Sequence, residues 1–139
     1  MRIALDNGAF APTKAHEADG GYDIYAPADA TVYNTRGTII NTGVHIEIPK
    51  GYVGLIKSRS GLNIRQNIIC EGVIDSGYTG SIVVKLRLMT DLQHEWVRIN
   101  RGDRIAQLVI VPCFSEALEV VDELEDTDRG ANGFGSSGR

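Results

Sequence analysis

The sequence predicts an all-β domain, a distorted jelly roll with one short helix. Three observations predict it. Short runs rich in Val, Ile, Thr and Tyr recur along the whole chain, bounded by Gly, Pro, Asn and Asp. Turn signals fall at roughly the 8–12 residue spacing of sandwiches and barrels. The run Gly43-Val-His-Ile-Glu-Ile48 alternates apolar and polar residues, the period of a strand buried on one face.

In chain order, Ile3-Ala-Leu5, Tyr22-Asp-Ile-Tyr25, Ala30-Thr-Val-Tyr33 and Gly37-Thr-Ile-Ile40 read as the opening strands. The alternating run 43–48 ends at Pro49-Lys-Gly51 and is answered by Tyr52-Val-Gly-Leu-Ile56, so strand, turn and strand predict a hairpin. A short helix is expected over Ser60–Asn67, with Ser60 placed to cap it. Ile68-Ile-Cys70, Ile82–Leu88, Trp96–Ile99 and Arg104–Val111 complete the strands. After about Glu123 the pattern gives way to a polar linker and a Gly-rich end. One domain over 1–125 and a flexible tail over 126–139 are therefore expected, with no repeat and no interdomain linker.

The chain has 139 residues, 42% hydrophobic and 23% charged, enough to bury one real core. Its net charge of −4 argues against general nucleic-acid binding, which needs a basic surface. A phosphate ligand would have to be held by local arginines and backbone donors, which favours a small nucleotide. The sequence has no apolar run of membrane-spanning length and no signal-peptide pattern, so no membrane partner and a cytoplasmic location are expected. Cys70 and Cys113 lie in apolar, strand-like contexts and read as buried free thiols. His16, His45 and His94 lack metal-ligand spacing.

Five segments carry candidate chemistry. Gly20-Gly-Tyr-Asp-Ile24 puts Asp23 in an apolar strand, where a lone carboxylate is more often structural than a ligand. Ser58-Arg59-Ser60-Gly61-Leu62 joins a guanidinium, a hydroxyl and a glycine N–H at a helix start, an anion site or a plain capped turn. In Gly72-Val73-Ile74-Asp75-Ser-Gly-Tyr78-Thr-Gly80 a carboxylate ends an apolar run. Asp75 could satisfy turn N–H groups or orient and deprotonate a water. In Gly102-Asp-Arg-Ile-Ala-Gln107, Gln107 is the polar exception in a strand that needs no ligand to be explained. Arg129-Gly-Ala-Asn-Gly-Phe-Gly-Ser-Ser-Gly138 can turn several backbone N–H groups toward one polyanion. Alone, it would read as a disordered end.

In this order and at these intervals the five segments resemble the five motifs of the trimeric dUTP diphosphatases, over residues 19 to 139. The fourth motif is matched in full. The first has Gly20 for alanine and the second Ser58 for proline, which loosens the turn before it. The third has Gly77 where many members carry an acid, and the fifth has Asn132 and Ser137 as changes. None of these removes a residue the chemistry needs.

The resemblance implies hydrolysis of dUTP to dUMP and pyrophosphate, limiting uracil in DNA and supplying dUMP for dTMP synthesis. It implies Asp75 as the base that activates water at the α-phosphorus. Arg59, Ser60, Gly61 and Gln107 would hold the inner phosphates. Gly72, Val73 and Ile74 would read uracil through their backbone, with Tyr78 under the sugar. Arg129, Gly135, Ser136 and Ser137 would close over the outer phosphates as a lid, and Phe134 would stack on the base. It further implies Mg²⁺ on the phosphates, reaching the protein only through a water at Asp23. The assembly implied is a homotrimer with active sites shared among subunits, in the cytoplasm, or the host's cytoplasm for a viral source.

Two rivals stand beside this reading. The dCTP deaminases share a segment resembling Ile74-Asp-Ser-Gly-Tyr78, but carry a glutamate where this chain has Lys85. A non-catalytic nucleotide sensor on the same fold is the other.

Overall fold

A computed structural model describes residues 1–34, 36–89, 96–128 and 130. The strands are β1 Ile3–Leu5, β2 Gly21–Tyr25, β3 Ala30–Tyr33, β4 Thr38–Asn41, β5 Val44–Ile46 and β6 Tyr52–Lys57. Helix α1, Ser60–Gln66, follows, then β7 Ile68–Ile69, β8 Glu71–Ile74, β9 Val83–Leu88, β10 Trp96–Ile99 and β11 Arg104–Pro112. The main sheet runs β2-β11-β6-β8, and β4-β9-β7, β10-β3 and β1-β5 form smaller sheets. Every strand pair is antiparallel.

One core joins them. Ile24, Ile56 and Leu108 come from the main sheet, Ile68, Val84 and Leu86 from the second, Val32 and Ile99 from the third, and Val44 and Ile46 from β5. Alternation is clearest in β9, where Val84, Leu86 and Leu88 are buried and Val83, Lys85 and Arg87 exposed. Thr42, wholly buried among apolar neighbours, is satisfied by donating its hydroxyl to the Ile82 carbonyl at 2.7 Å.

Three expectations need correction. The hairpin over 43–56 does not form. The turn at Pro49 exists, with Tyr52 N–H bonded to the Pro49 carbonyl, but β5 pairs with β1 and β6 with β11 and β8. Instead of lying beside β6, β5 takes β1 as its partner. A Cβ on Gly54 would stand 2.7 Å from Ile48 Cδ1 and 2.9 Å from Leu108 Cδ1, so the bare glycine is where Ile48 packs over the strand. Ser60 is the first helical residue, not the cap. That position falls to Arg59, which is extended (φ −80°, ψ 135°) and makes no side-chain capping bond. Finally, Cys113 is exposed rather than buried, because β11 ends just before it. Cys70 is buried and both thiols are free.

Candidate active site

Asp23 organises the first half of the site. It is nearly buried on β2, and its two oxygens meet two arginines: Arg59 Nε at 2.8 Å and Arg104 Nη1 at 3.2 Å. The backbone brings them together because β11 lies beside both β2 and β6, so the residue two past the end of β6 and the first of β11 converge on β2. A guanidinium carries only donors and cannot accept from the helix N–H groups, so Arg59 makes no side-chain cap and donates to this carboxylate instead. A buried carboxylate demands such pairing, and it in turn fixes the orientation of Arg59 next to Ser60 and Gly61.

Gln107 lies directly opposite Asp23 on one side and Lys57 on the other, and Lys57 lies opposite Glu71. Opposed residues of antiparallel strands share a face. Asp23, Gln107, Lys57 and Glu71 therefore form one polar row across the main sheet. Lys57 Nζ closes the row on Glu71 at 3.1 Å.

Ser58 sits between these groups and departs from the expected loosening. Its hydroxyl accepts from Cys70 N–H at 2.9 Å and donates to the Cys70 carbonyl at 3.0 Å. A side chain thus replaces a ladder rung between the end of β6 and the start of β8. Burial pushes the Cys70 thiol pKa up, against the pull of the same hydroxyl, and keeps it protonated.

The second half of the site lies at the other end of β8. Gly72, Val73 and Ile74 form the body of this strand, which has a partner only in β6 among the described residues. Alternate N–H and C=O groups on its outer side are left without a ladder partner. Val73 points outward at 64% exposure while Ile74 is buried. Asp75 follows on an exposed turn closed by Tyr78 N–H on the Asp75 carbonyl, 3.2 Å. Tyr78 donates its hydroxyl to the Ser81 carbonyl at 3.1 Å and lies against Gly80, where any Cβ would collide with the phenol. Glycine at 80 is therefore what seats this ring.

Within one chain the halves stay apart. Lys57 is opposite Glu71 and Gly54 opposite Ile74, so Asp75 leaves the sheet at the end away from Arg59. At about 3.3 Å per residue, Glu71 and Asp75 are about 13 Å apart along the strand. Arg59, Ser60, Gly61 and Gln107 are brought together with Asp23; Asp75 and Tyr78 are brought together elsewhere. The expected lid residues Arg129, Phe134, Gly135, Ser136 and Ser137 lie outside the described residues.

The dUTPase family model matches residues 8–138, a span that includes all five segments. The chain belongs to the dUTPase family. A deoxyuridine 5'-triphosphate nucleotidohydrolase of Tropheryma whipplei is 41% identical over 138 residues, covering 97% of this chain and 93% of the relative. The Staphylococcus bacteriophage 80alpha dUTPase, solved with dUPNHPP, superposes with a TM-score of 0.87 at 33% identity, over 99% of this chain and 98% of that one. A dUTPase mutant from phage phi11 of S. aureus, described for its coordination of a structural Mg(II) ion, superposes with a TM-score of 0.80 at 29% identity, over 90% of this chain and 98% of that one.

For this dUTPase, sequence reasoning missed Arg104 and the two bonds of Ser58. Arg104 was in view inside the fourth motif, but its partner is 81 residues away and only the β2–β11 pairing joins them. Lys85, where the deaminases carry a glutamate, is on the exposed face of β9 opposite Ile39.

Proposed function

We infer that this dUTPase hydrolyses dUTP to dUMP and pyrophosphate, with water attacking the α-phosphorus in line with the leaving pyrophosphate. The observation that carries the reading furthest is the open outer edge of β8 running straight into Asp75 and Tyr78. A strand edge offers donors and acceptors in alternation, which suits uracil's acceptor–donor–acceptor edge. Cytosine presents a donor where an acceptor is needed and leaves buried groups unpaired, a mismatch that supports strong discrimination. Gly72, Val73 and Ile74 read the base in this way, and Tyr78 carries the sugar and excludes a 2′-hydroxyl.

Asp75 holds the attacking water and takes its proton. Arg59, Ser60, Gly61 and Gln107 hold the inner phosphates, and positioning of this kind supplies much of the acceleration in phosphoryl chemistry. The tail from 126 closes over the outer phosphates through Arg129, Gly135, Ser136 and Ser137, with Phe134 on the uracil. Bound Mg²⁺ would neutralise and orient the phosphate oxygens. Among the described residues no three His, Cys, Asp or Glu side chains cluster, and Asp23 already serves two arginines. The donor set therefore suits an ion carried by the substrate's phosphates, touching Asp23 through water.

The working form is a homotrimer whose sites are shared among subunits. Two features support it. Asp75 and Arg59 lie at opposite ends of the β6–β8 pair, whereas the proposed roles need both at the inner phosphates of one nucleotide. The segment 113–128 has no helix or strand and leaves Phe114, Leu118, Val120 and Leu124 between 76% and 97% exposed, apolar surface suited to a neighbouring subunit. Among the described residues no helix is long and apolar enough to cross a membrane. The nucleotide pool of the cytoplasm, or of a host's cytoplasm, is the proposed setting.

Pyrophosphate release from dUTP, UTP, dTTP and dCTP with Mg²⁺ tests the reading. dUTP should turn over, with UTP and dCTP disfavoured by at least about two orders of magnitude. Ammonia release from dCTP, or comparable rates on all four, would overturn it.

A further inference from the structure

We propose that His45 is a positioning residue for this reaction: as an imidazolium it clamps the loop that carries Asp75 and Tyr78 to the end of β1. The side chain leaves β5 between the buried Val44 and Ile46. Its Nδ1 lies 2.8 Å from the Thr79 carbonyl oxygen, and its Nε2 lies 3.2 Å from Asp6 Oδ1. A carbonyl and a carboxylate only accept. A neutral imidazole has one N–H and can serve one of them, leaving a lone pair facing the other; the doubly protonated ring serves both.

The clamp holds the loop where little else does. Tyr78 N–H to Asp75 and Tyr78 hydroxyl to Ser81 are bonds within the loop. Ser81 to Asn41, and Ile82 to Thr42 and Val44, tie its far end through groups that do not titrate. His45 grips the residue next to Tyr78. Asp6 faces the ring from beyond β1. The other charges there, Arg2 and Glu47, are paired with each other at 2.5 Å and line the same surface cavity of about 400 Å³ as His45 and Thr79. The Met1 amine acts on Glu47, and Asp75 is the loop's own carboxylate.

The Thr79 carbonyl, foremost, holds the His45 pKa above its usual value; burial opposes it, and the hydrogen bond and charge of Asp6 add to the rise. A raised folded pKa means that the clamp is complete below the ordinary histidine value of about 6.5 and is lost as pH rises through the folded value.

The proposal rests on the dUTP reading, and two measurements keep them distinguishable. In the folded protein the His45 ring is titrated by NMR; in parallel, kcat/KM for dUTP is followed between about pH 6 and 9. The ring should titrate above 6.5, and kcat/KM should fall about two- to tenfold with the same midpoint, the reach of one net hydrogen bond. Asp6→Asn should move both midpoints down together, and His45→Gln should remove that fall while leaving dUTP's own titrations in place. A ring titrating at or below 6.5, or a kcat/KM limb that ignores Asp6→Asn, overturns the clamp. Should His45→Gln fold poorly, wild type and Asp6→Asn alone decide. An enzyme inert on dUTP at every pH, with His45 titrating as described, overturns the activity and not the contact.

Discussion

Asp23 lies within β2 and Asp75 just past the end of β8, and their surroundings suit them to opposite work. Asp75 is exposed at a turn, where a carboxylate can hold and deprotonate a water; Asp23 is nearly buried between Arg59 and Arg104, where it can only orient cations. Asp75→Asn should therefore keep dUTP binding while kcat falls on the order of 10²–10⁴, the usual worth of a general base. Equilibrium binding of a non-hydrolysable dUTP analogue beside steady-state rates checks it; near-normal kcat would reduce Asp75 to a turn residue. The residues of this contrast were legible from the sequence, because each stands out chemically from its strand. The partners were not. Nothing local to residue 23 names Arg104, and Ser58 reads as a loosened turn until Cys70 is beside it.

Strands were legible at the level of elements because burial on one face writes period-two alternation directly into runs such as β9. Their pairing was less so. Adjacent strands with a turn between them favour a hairpin on local grounds, and β5 and β6 failed that expectation. Gly54 leaves the space that Ile48 and Leu108 fill against β6, while β5 takes β1 as its partner. Gly54→Val should cost about 1–3 kcal/mol through overpacking. Chemical denaturation should show an earlier midpoint with an unchanged slope. Wild-type stability in this variant would show that Ile48 and Leu108 yield to a side chain at 54.

At the scale of the molecule, the separation of Asp75 from Arg59 is the gap that the proposed shared-site trimer would close. Removing 130–139 should leave folding and melting temperature unchanged while turnover collapses, because the tail acts only on the closed complex. Mixing tail-less chains with Asp75→Asn chains should restore part of the activity, since some sites then draw a sound tail and a sound aspartate from different subunits. Calorimetry and pyrophosphate release on the mixtures test both; full rate without the tail, or no recovery after verified subunit exchange, would refute the lid or the sharing. The tail's glycines, arginine and phenylalanine were visible in sequence, but the distance between the two halves of the site was not. It depends on which end of β6 each neighbour meets.

The open edge of β8 has a second consequence. A row of unpaired backbone groups that can read a base can also accept any extended peptide, including the same strand of another molecule. The hazard is limited by a strand of only four residues that runs into the exposed carboxylate of Asp75, which would repel a like copy. Loss of that charge would trade solubility for stickiness, and nucleotide bound along the edge would act as its chaperone.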